Sequence, residues 1–291
     1  MLEGISTALI TPFRDGRVDE EALRGLVERQ IKAGIDSLVP CGSTGESATL
    51  SHLEHRRVVE IVIEAAAGRV PIIAGAGSNS TREAIELTIH AKEAGAQGAL
   101  LLSPYYNKPT QEGIYAHYAA VAKEAQFPTV IYNIPGRTAS NISADTISRL
   151  ARLDNIIGVK EASGDLDQMA HIIARSPADF AVVSGDDSLT LPLLALGGKG
   201  VISTSGNVAP EQMCALVREF EAGNLAAAKK MHYRLLPLFD ALFCETNPIP
   251  VKAACAALGW CDGEIRLPLT PCSDVNIEHL KVVLKDLGIE R

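Results

Sequence analysis

Hydrophobic positions along the first 220 residues follow two alternating patterns. Short apolar runs rich in β-branched residues indicate buried strands, and longer segments with apolar positions at helical spacing indicate amphipathic helices. The predicted strands span residues 5–11, 36–40, 70–76, 98–102, 129–133, 156–160, 180–184 and 200–203. The predicted helices span residues 19–33, 51–68, 80–95, 111–125, 143–152, 166–175 and 188–196, with another beginning at Pro210.

Strict alternation of strands and helices is typical of right-handed βαβ units around a parallel sheet. Eight such units predict an α/β fold of the (β/α)₈ TIM-barrel type. An open doubly wound sheet is the alternative, and it is disfavoured because no Gly-x-Gly-x-x-Gly follows the first strand; Gly75-Ala76-Gly77-Ser78 lacks the third glycine.

The alternation stops near residue 222. Helical periodicity continues over 225–243, 248–258 and 277–287 without strands between them. We therefore expect a catalytic barrel over residues 1–223 and a C-terminal helical region over 224–291. That region either packs against the barrel or forms a subunit contact.

Charge and composition narrow the function classes. The chain has 27 basic and 35 acidic residues, a net charge of −8, which disfavours a nucleic-acid partner. It shows neither an export signal nor an apolar run near the ~20 residues that span a bilayer. Six scattered cysteines form no Cys-x-x-Cys motif, and only Cys41 falls near the candidate site. A cytoplasmic protein with reduced thiols is expected.

Polar residues gather where the predicted strands end. In a barrel the chemistry lies at the carboxyl ends of the strands. The residues at these ends are 11, 42–46, 75–79, 103–107, 132–138, 160, 185–187 and 203–205, whereas the opposite connections are small and featureless.

Lys160 ends the sixth strand and is the first candidate for catalysis. An ammonium there either reaches solvent past the strand or, inside the barrel, has its pKa lowered so that the neutral amine attacks a carbonyl. Gly158 shares its side of the strand and is expected to leave room for a small carbonyl compound. Tyr132 ends the preceding strand, where it either moves protons during imine formation or fills the barrel.

Two further features suit carboxylates. Gly42-Ser43-Thr44-Gly45-Glu46 offers hydroxyls and free N–H groups in a turn, as an anion nest or as a plain turn. Arg137, on a Pro-Gly loop, is either a bidentate carboxylate ligand or a solvated side chain. Together with Lys160 these features describe a site for a small keto acid.

Three competing sites are weaker. Asp186-Asp187 suits a divalent metal, but helix capping by Asp187 is favoured. His52 and His55 share a helix face without a third zinc ligand by spacing. The Gly197-Gly198-Lys199-Gly200 run resembles a phosphate loop but precedes its strand, on the wrong face of the barrel. No metal and no cofactor are expected.

The assembled motifs closely resemble the dihydrodipicolinate synthases, within the pyruvate-dependent class I aldolase family that includes the N-acetylneuraminate lyases. The resemblance covers essentially the whole chain. It rests on residues 42–46, on Pro104-Tyr105-Tyr106-Asn107-Lys108-Pro109, on residues 132–138 and on residues 158–162. Ser43-Thr44 replaces the usual paired threonines. Because serine there is also common in the lyases, Arg137 is the residue that separates the two activities.

The resemblance implies a synthase in lysine biosynthesis. Lys160 would form a Schiff base with pyruvate, and the enamine would attack L-aspartate 4-semialdehyde to give 4-hydroxy-tetrahydrodipicolinate. The implied proton relay is Tyr132, Ser43 and Tyr106, with Tyr106 supplied across a subunit interface. The implied substrate contacts are Thr44 for the pyruvate carboxylate, Arg137 for the aldehyde carboxylate, and the Gly185 and Ile202 backbones.

The resemblance also implies regulation and assembly. An inhibitory L-lysine site would use Ser47, Ala48, His52, His55, Asn79, Glu83 and Tyr105, and the usual assembly is a homotetramer built as a dimer of dimers. Two alternatives remain at this point. One is a related lyase acting on a sialic or sugar keto acid, and the other is a non-catalytic barrel that binds a small acid.

Overall fold

A closed parallel barrel forms the body of the molecule in the computed structural model, which describes residues 2–290. Its strands are β1 (Gly4–Ala8), β2 (Ser37–Val39), β3 (Ile73–Gly75), β4 (Gly98–Leu102), β5 (Thr129–Asn133), β6 (Ile156–Glu161), β7 (Ala181–Ser184) and β8 (Gly200–Ser203). They pair in the order β2-β1-β8-β7-β6-β5-β4-β3, and a parallel bridge between Leu38 and Ile72 closes the ring.

Helices cover the outside of the barrel. They are α1 (Glu20–Ala33), α2 (His52–Ala66), α3 (Thr81–Ala94), α4 (Gln111–Ala125), α5 (Ala144–Leu150), α6 (Leu166–Arg175), α7 (Thr190–Ala195) and α8 (Pro210–Glu221). The TIM-barrel prediction is confirmed, and every predicted strand is present, although several are shorter than their apolar runs. None of the helices within residues 2–290 combines the length and apolarity that a bilayer crossing requires.

Local sequence explains where these helices begin and end. Ser51 forms a full capping box with Glu54, whereas at Ser80 only the hydroxyl accepts, from the Glu83 N–H. Gly34 and Gly95 end α1 and α3 in the left-handed conformation, with φ of 83° and 98°. These three helices are thus bounded by residues that favour their limits.

Two apolar layers stabilise the barrel. The larger lies between strands and helices, and a smaller one fills the interior. The interior layer contains Leu2, Ala8, Val39, Ile73, Leu100, Val130, Tyr132, Ala181, Val183 and Ile202. Tyr132 is the aromatic member, so the site borders on a dry core.

Three helices follow the barrel: α9 (Leu225–Ala241), α10 (Ile249–Ala257) and α11 (Asp274–Asp286). Helix α9 packs along α8, while α11 packs against both α9 and α10. The loop before α10 reaches the carboxyl-terminal face of the barrel, where Asn247 contacts Thr44.

One local prediction was wrong, and one local element was missed. The Pro-Gly segment after β5 was expected to be a loop, but Pro135–Thr138 forms one helical turn, because proline suits the first position of a helix. A two-stranded hairpin of Phe13–Arg14 and Arg17–Val18 had not been expected, since each strand has only two residues.

Candidate active site

Lys160 points into the barrel and is buried there, with 5% of its surface exposed. It pairs in register with Tyr132 on β5 and Val183 on β7, both members of the interior layer. Its Nζ lies 4.3 Å from the centre of the Tyr132 ring. The buried position and the contact with a phenol exclude the alternative of a lysine that extends into solvent.

Neighbouring side chains fix the direction of Lys160. Glu161 is buried on the other side of β6, where its carboxylate accepts hydrogen bonds from Asn133 Nδ2 at 3.0 Å and from the Ser163 N–H at 2.8 Å. Burial raises the pKa of Glu161, and these donors oppose that rise. Since successive strand residues alternate, anchoring Glu161 outside keeps Lys160 inside.

Gly158 does not provide the space predicted for a ligand. A Cβ built there would lie 2.5 Å from the Ala181 carbonyl oxygen and 2.7 Å from Leu2 Cδ2, so the barrel interior already fills this position. Gly185 does give Lys160 room, because a Cβ there would lie 3.1 Å from Lys160 Cε and 2.5 Å from Ala162 Cβ. The glycine that accommodates the lysine stem is therefore on the adjacent strand end.

The turn after β2 carries Ser43 and Thr44 toward the same region. Its N–H groups at Gly45 and Glu46 are used within the turn, donating to the Gly42 and Ser43 carbonyls at 3.0 and 3.2 Å. Within residues 2–290 the N–H groups of Ser43 and Thr44 make no hydrogen bond. The predicted nest therefore has two free donors beside two hydroxyls, an arrangement suited to a carboxylate.

A buried ion pair anchors this turn. Glu46 has a left-handed backbone, with φ of 53°, and its carboxylate binds the Lys252 ammonium directly, both side chains being 1% exposed. Lys252 also donates to the Glu264 carbonyl at 2.9 Å and lies 4.2 Å from the centre of the Phe13 ring. Burial lowers the pKa of Lys252, and the attraction of Glu46 opposes this. The C-terminal helices thereby hold the turn in place.

Arg137 and Thr44 are joined through one residue, Asn247. Asn247 Nδ2 donates to Thr44 Oγ1 at 2.9 Å, and the Asn247 carbonyl accepts from Arg137 Nη2 at 2.7 Å. Arg137 is otherwise exposed at the rim, so its remaining N–H groups are available to an anion.

A cavity of about 500 Å³ lies beside these groups. Ser43, Tyr132, Arg137 and Asn247 line one part of it. Lys160 and Thr44 are not among its lining residues; Lys160 contacts the Tyr132 ring, and Thr44 accepts a hydrogen bond from Asn247. Gly185 and Ile202 lie at the ends of β7 and β8, and Ile202 is fully buried in the interior layer.

Tyr106 is separate from the other members of the predicted relay. It is 88% exposed, has φ of 68°, and is not among the residues that line this cavity. Ser43 and Tyr132 share the cavity without a direct hydrogen bond between their side chains in the described chain. A single chain does not assemble the three predicted proton carriers.

Most of the residues predicted to bind lysine lie at the other part of the same cavity. Its wall includes Ser47, Ala48, His52, His55, Glu83 and Tyr105. Asn79 is not part of this wall; its carbonyl accepts a hydrogen bond from Asn107 Nδ2 at 2.9 Å.

Glu83 is the central charge of that region. It accepts from the Ser78 hydroxyl and lies 3.4 Å from His52 Nε2. Desolvation, and next the charge of Glu83, raises the pKa of Tyr105. Burial lowers the pKa of His55 to about 4, so this imidazole is neutral at pH 7. The Glu83 carboxylate lies in this region together with the Tyr105 hydroxyl and the neutral His55 ring, an arrangement that suits an ammonium-bearing ligand.

The capping role expected for Asp187 was wrong. Its Oδ2 accepts from the N–H groups of Thr204 and Ser205 at 3.2 and 2.8 Å and from Ser205 Oγ at 2.7 Å, which ties it to the loop after β8. Burial raises the pKa of Asp186 and of Asp187, while the positive charge of Lys160 lowers both. Residues 2–290 contain no cluster of three His, Cys, Asp or Glu side chains that could hold a metal ion.

Comparison with known proteins identifies the family. The model of the dihydrodipicolinate synthetase family matches residues 1–287. The chain belongs to this family. A relative from Syntrophus aciditrophicus (strain SB), named 4-hydroxy-tetrahydrodipicolinate synthase, is 56% identical over 289 residues, which cover 99% of both chains.

Solved structures of the dihydrodipicolinate synthetase family have the same fold. The Aquifex aeolicus dihydrodipicolinate synthase is 50% identical with a TM-score of 0.97, covering 99% of this chain and 98% of its own. The Acinetobacter baumannii enzyme complexed with pyruvate is 46% identical with a TM-score of 0.97, covering 99% and 100%. The Cyanidioschyzon merolae enzyme with lysine bound is 44% identical with a TM-score of 0.96, covering 99% of each chain.

Sequence reasoning missed two residues of this synthetase-family site, Asn247 and Lys252. Both lie in the C-terminal helical region, more than 200 positions from their partners Thr44 and Glu46. Lys252 had a signal, since it stands between apolar residues in a helix whose mean hydropathy is high. A lysine in such a segment requires a buried acid, and Glu46 is that acid.

Proposed function

We propose that this protein is a 4-hydroxy-tetrahydrodipicolinate synthase that condenses pyruvate with L-aspartate 4-semialdehyde in lysine biosynthesis. The observation that carries the proposal is a buried lysine against a tyrosine phenol, Lys160 Nζ lying 4.3 Å from the Tyr132 ring centre, in a chain 56% identical to a relative of that name. The family is also represented by a structure complexed with pyruvate.

The proposed first stage is imine formation. Once its ammonium has lost a proton, the Lys160 amine attacks the ketone carbon of pyruvate, and the carbinolamine loses water with a proton delivered to the leaving hydroxyl. Tyr132, whose ring centre lies 4.3 Å from that amine, is assigned this transfer. The hydroxyl of Thr44 and the free N–H groups of Ser43 and Thr44 are assigned to the pyruvate carboxylate.

The second stage forms the carbon–carbon bond. Loss of a methyl proton converts the imine to an enamine, which attacks the aldehyde carbon while the aldehyde oxygen takes up a proton. The amino group of the adduct then attacks the imine carbon and displaces Lys160, closing the ring. Arg137 is assigned to the aldehyde's carboxylate, because its exposed guanidinium lies at the rim of the same cavity.

Borohydride trapping tests the proposal directly. Reduction in the presence of pyruvate is expected to add one reduced pyruvyl group to Lys160, detected by intact mass and peptide mapping. Lys160→Ala is expected to lose the adduct and several orders of magnitude in kcat/KM. Lys281→Ala, which changes an exposed lysine, is the matched control and should keep both the adduct and the wild-type kcat/KM. An unmodified wild-type mass would refute the enzyme in favour of a non-catalytic barrel.

Inhibition by L-lysine is part of the proposal. Its support is the carboxylate of Glu83 beside Tyr105 and His52 at the second part of the cavity, together with a family member that has lysine bound. Millimolar lysine is expected to inhibit condensation, and Glu83→Gln is expected to weaken the inhibition. Glu86→Gln, an exposed change on the same helix, serves as control. Equal inhibition of both variants would exclude this site.

We also propose a homotetramer in which Tyr106 completes the proton relay of a neighbouring subunit. The support is its isolation: an 88% exposed phenol that makes no contribution to its own chain's cavity. Sedimentation should give a tetramer, and Tyr106→Phe should lower kcat more than it raises either KM. A fully active monomer would refute the assignment.

Six free thiols support a reducing, cytoplasmic location.

A further inference from the structure

Asn247 occupies the point where the two proposed carboxylate sites meet. It lies in the loop between α9 and α10 and is 6% exposed. Its side-chain nitrogen donates to Thr44 Oγ1, and its backbone carbonyl accepts from Arg137. A single residue therefore touches the group assigned to pyruvate and the group assigned to the aldehyde.

The other side-chain atom of Asn247 has no partner. Its Oδ1 is buried and accepts no hydrogen bond from any donor in residues 2–290, although Asn247 lines the cavity beside Ser43, Tyr132 and Arg137. A buried amide oxygen without a donor costs free energy, and native proteins pair almost all such atoms. An acceptor left open at a cavity wall therefore indicates a donor on the ligand.

Substrate chemistry identifies that donor. Pyruvate has no N–H or O–H group at neutral pH, so it does not satisfy Asn247 Oδ1. L-Aspartate 4-semialdehyde carries an α-ammonium on the carbon that bears its carboxylate. A carboxylate bound by Arg137 brings this ammonium next to the residue whose own carbonyl holds the same guanidinium.

We propose that Asn247 Oδ1 accepts a hydrogen bond from the α-ammonium of the aldehyde substrate, which makes Asn247 a specificity-determining residue. This rests on the proposed function, in particular on Arg137 as the ligand of the aldehyde's carboxylate. Asn247 then distinguishes an amino aldehyde from an aldehyde acid of the same length that lacks the amine.

The test compares the two kinds of aldehyde. Succinate semialdehyde keeps the aldehyde and carboxylate and lacks the amine, so its competitive inhibition constant is measured beside kcat/KM for L-aspartate 4-semialdehyde. Asn247→Ala should lower kcat/KM for the amino aldehyde by about 10- to 100-fold, the usual effect of one hydrogen bond to a charged group. The inhibition constant of the analogue should change by no more than about threefold, since its bound groups keep their partners.

Two further variants separate this role from a structural one. Thr44→Val removes the same Asn247–Thr44 hydrogen bond from the other side, and it should raise the KM for pyruvate without changing the discrimination between the aldehydes. Asn247→Asp, which is isosteric, places a full charge opposite the ammonium and should increase that discrimination.

Each remaining outcome decides against the proposal. If Asn247→Ala lowers kcat/KM for the amino aldehyde and raises the inhibition constant of the analogue by the same factor, Asn247 only positions Thr44 and Arg137. If the alanine variant does not fold, an unchanged discrimination in Asn247→Asp overturns the proposal by itself. Failure of the proposed function is distinguishable, because the wild type would then form no pyruvate adduct with borohydride.

Discussion

The buried pair of Glu46 and Lys252 makes a quantitative prediction. Lys252→Met removes the ammonium and keeps the stem volume, leaving a carboxylate that is 1% exposed with the Arg266 N–H, at 3.2 Å, as its remaining close donor. Breaking one side of a buried ion pair typically costs about 3–5 kcal/mol. Because Arg266 partly compensates, we expect a loss near the lower limit, about 3 kcal/mol of unfolding free energy.

The assay is urea unfolding followed by circular dichroism at fixed protomer concentration, because oligomerisation makes the apparent stability concentration-dependent. Lys281→Met is the matched control. It breaks the ion pair with Glu278, in which the Lys281 side chain is 52% exposed and the Glu278 side chain 71% exposed. The unfolding free energy should therefore change by less than about 1 kcal/mol.

A double variant distinguishes charge from packing. Glu46→Gln with Lys252→Met removes both charges at nearly constant volume, and it should recover most of the stability that the single change loses. The KM for pyruvate should rise in Lys252→Met, since the turn that carries Thr44 loses its anchor. The reasoning is refuted if the unfolding free energy of Lys252→Met lies within about 0.5 kcal/mol of the wild-type value. It is also refuted if the double variant is no more stable than Lys252→Met.

Three other predictions follow from the burial or exposure of single residues. Burial lowers the pKa of His117 to about 4, so as the pH falls below about 6.5 the unfolded chain takes up a proton on this histidine while the folded chain does not. The free energy of unfolding should therefore fall toward pH 4, with His117 contributing on the order of 3 kcal/mol. His117→Asn should reduce this dependence of stability on pH in denaturation curves. Gly158→Ala should cost about 1–3 kcal/mol by overpacking against Ala181 and Leu2, and an unchanged melting temperature would contradict this. Iodoacetamide should alkylate Cys244 first, because it is exposed and the other five cysteines are buried or half-buried; faster labelling elsewhere, read by peptide mapping, would be the contrary result.

The barrel was predictable because its signals are local. Each strand is a short apolar run, and capping residues such as Ser51 and Ser80 begin the helices that follow. Lys160 was predictable for the same reason, since its position at a strand end in a βα series specifies the face it occupies.

Contacts over long sequence separations were not predictable. Strand parity correctly assigned Gly158 to the interior, but periodicity carries no information that Leu2, from the start of the chain, fills the space beside it. Asn247 lies in an irregular loop without a pattern, so its link to Thr44 was invisible to sequence reasoning. The capping role predicted for Asp187 was wrong for the same reason, because the groups that donate to its carboxylate come from the loop after the next strand.

The anchoring of Thr44 and Glu46 by Asn247 and Lys252 has a consequence for synthesis on the ribosome. Once residue 203 has left the exit tunnel, every barrel strand is available, but both partners of the turn after β2 have yet to emerge. Until they arrive, Glu46 has no counter-ion and the turn that carries Thr44 lacks both of these contacts. The contacts that hold this turn therefore become possible only after the last barrel strand has emerged.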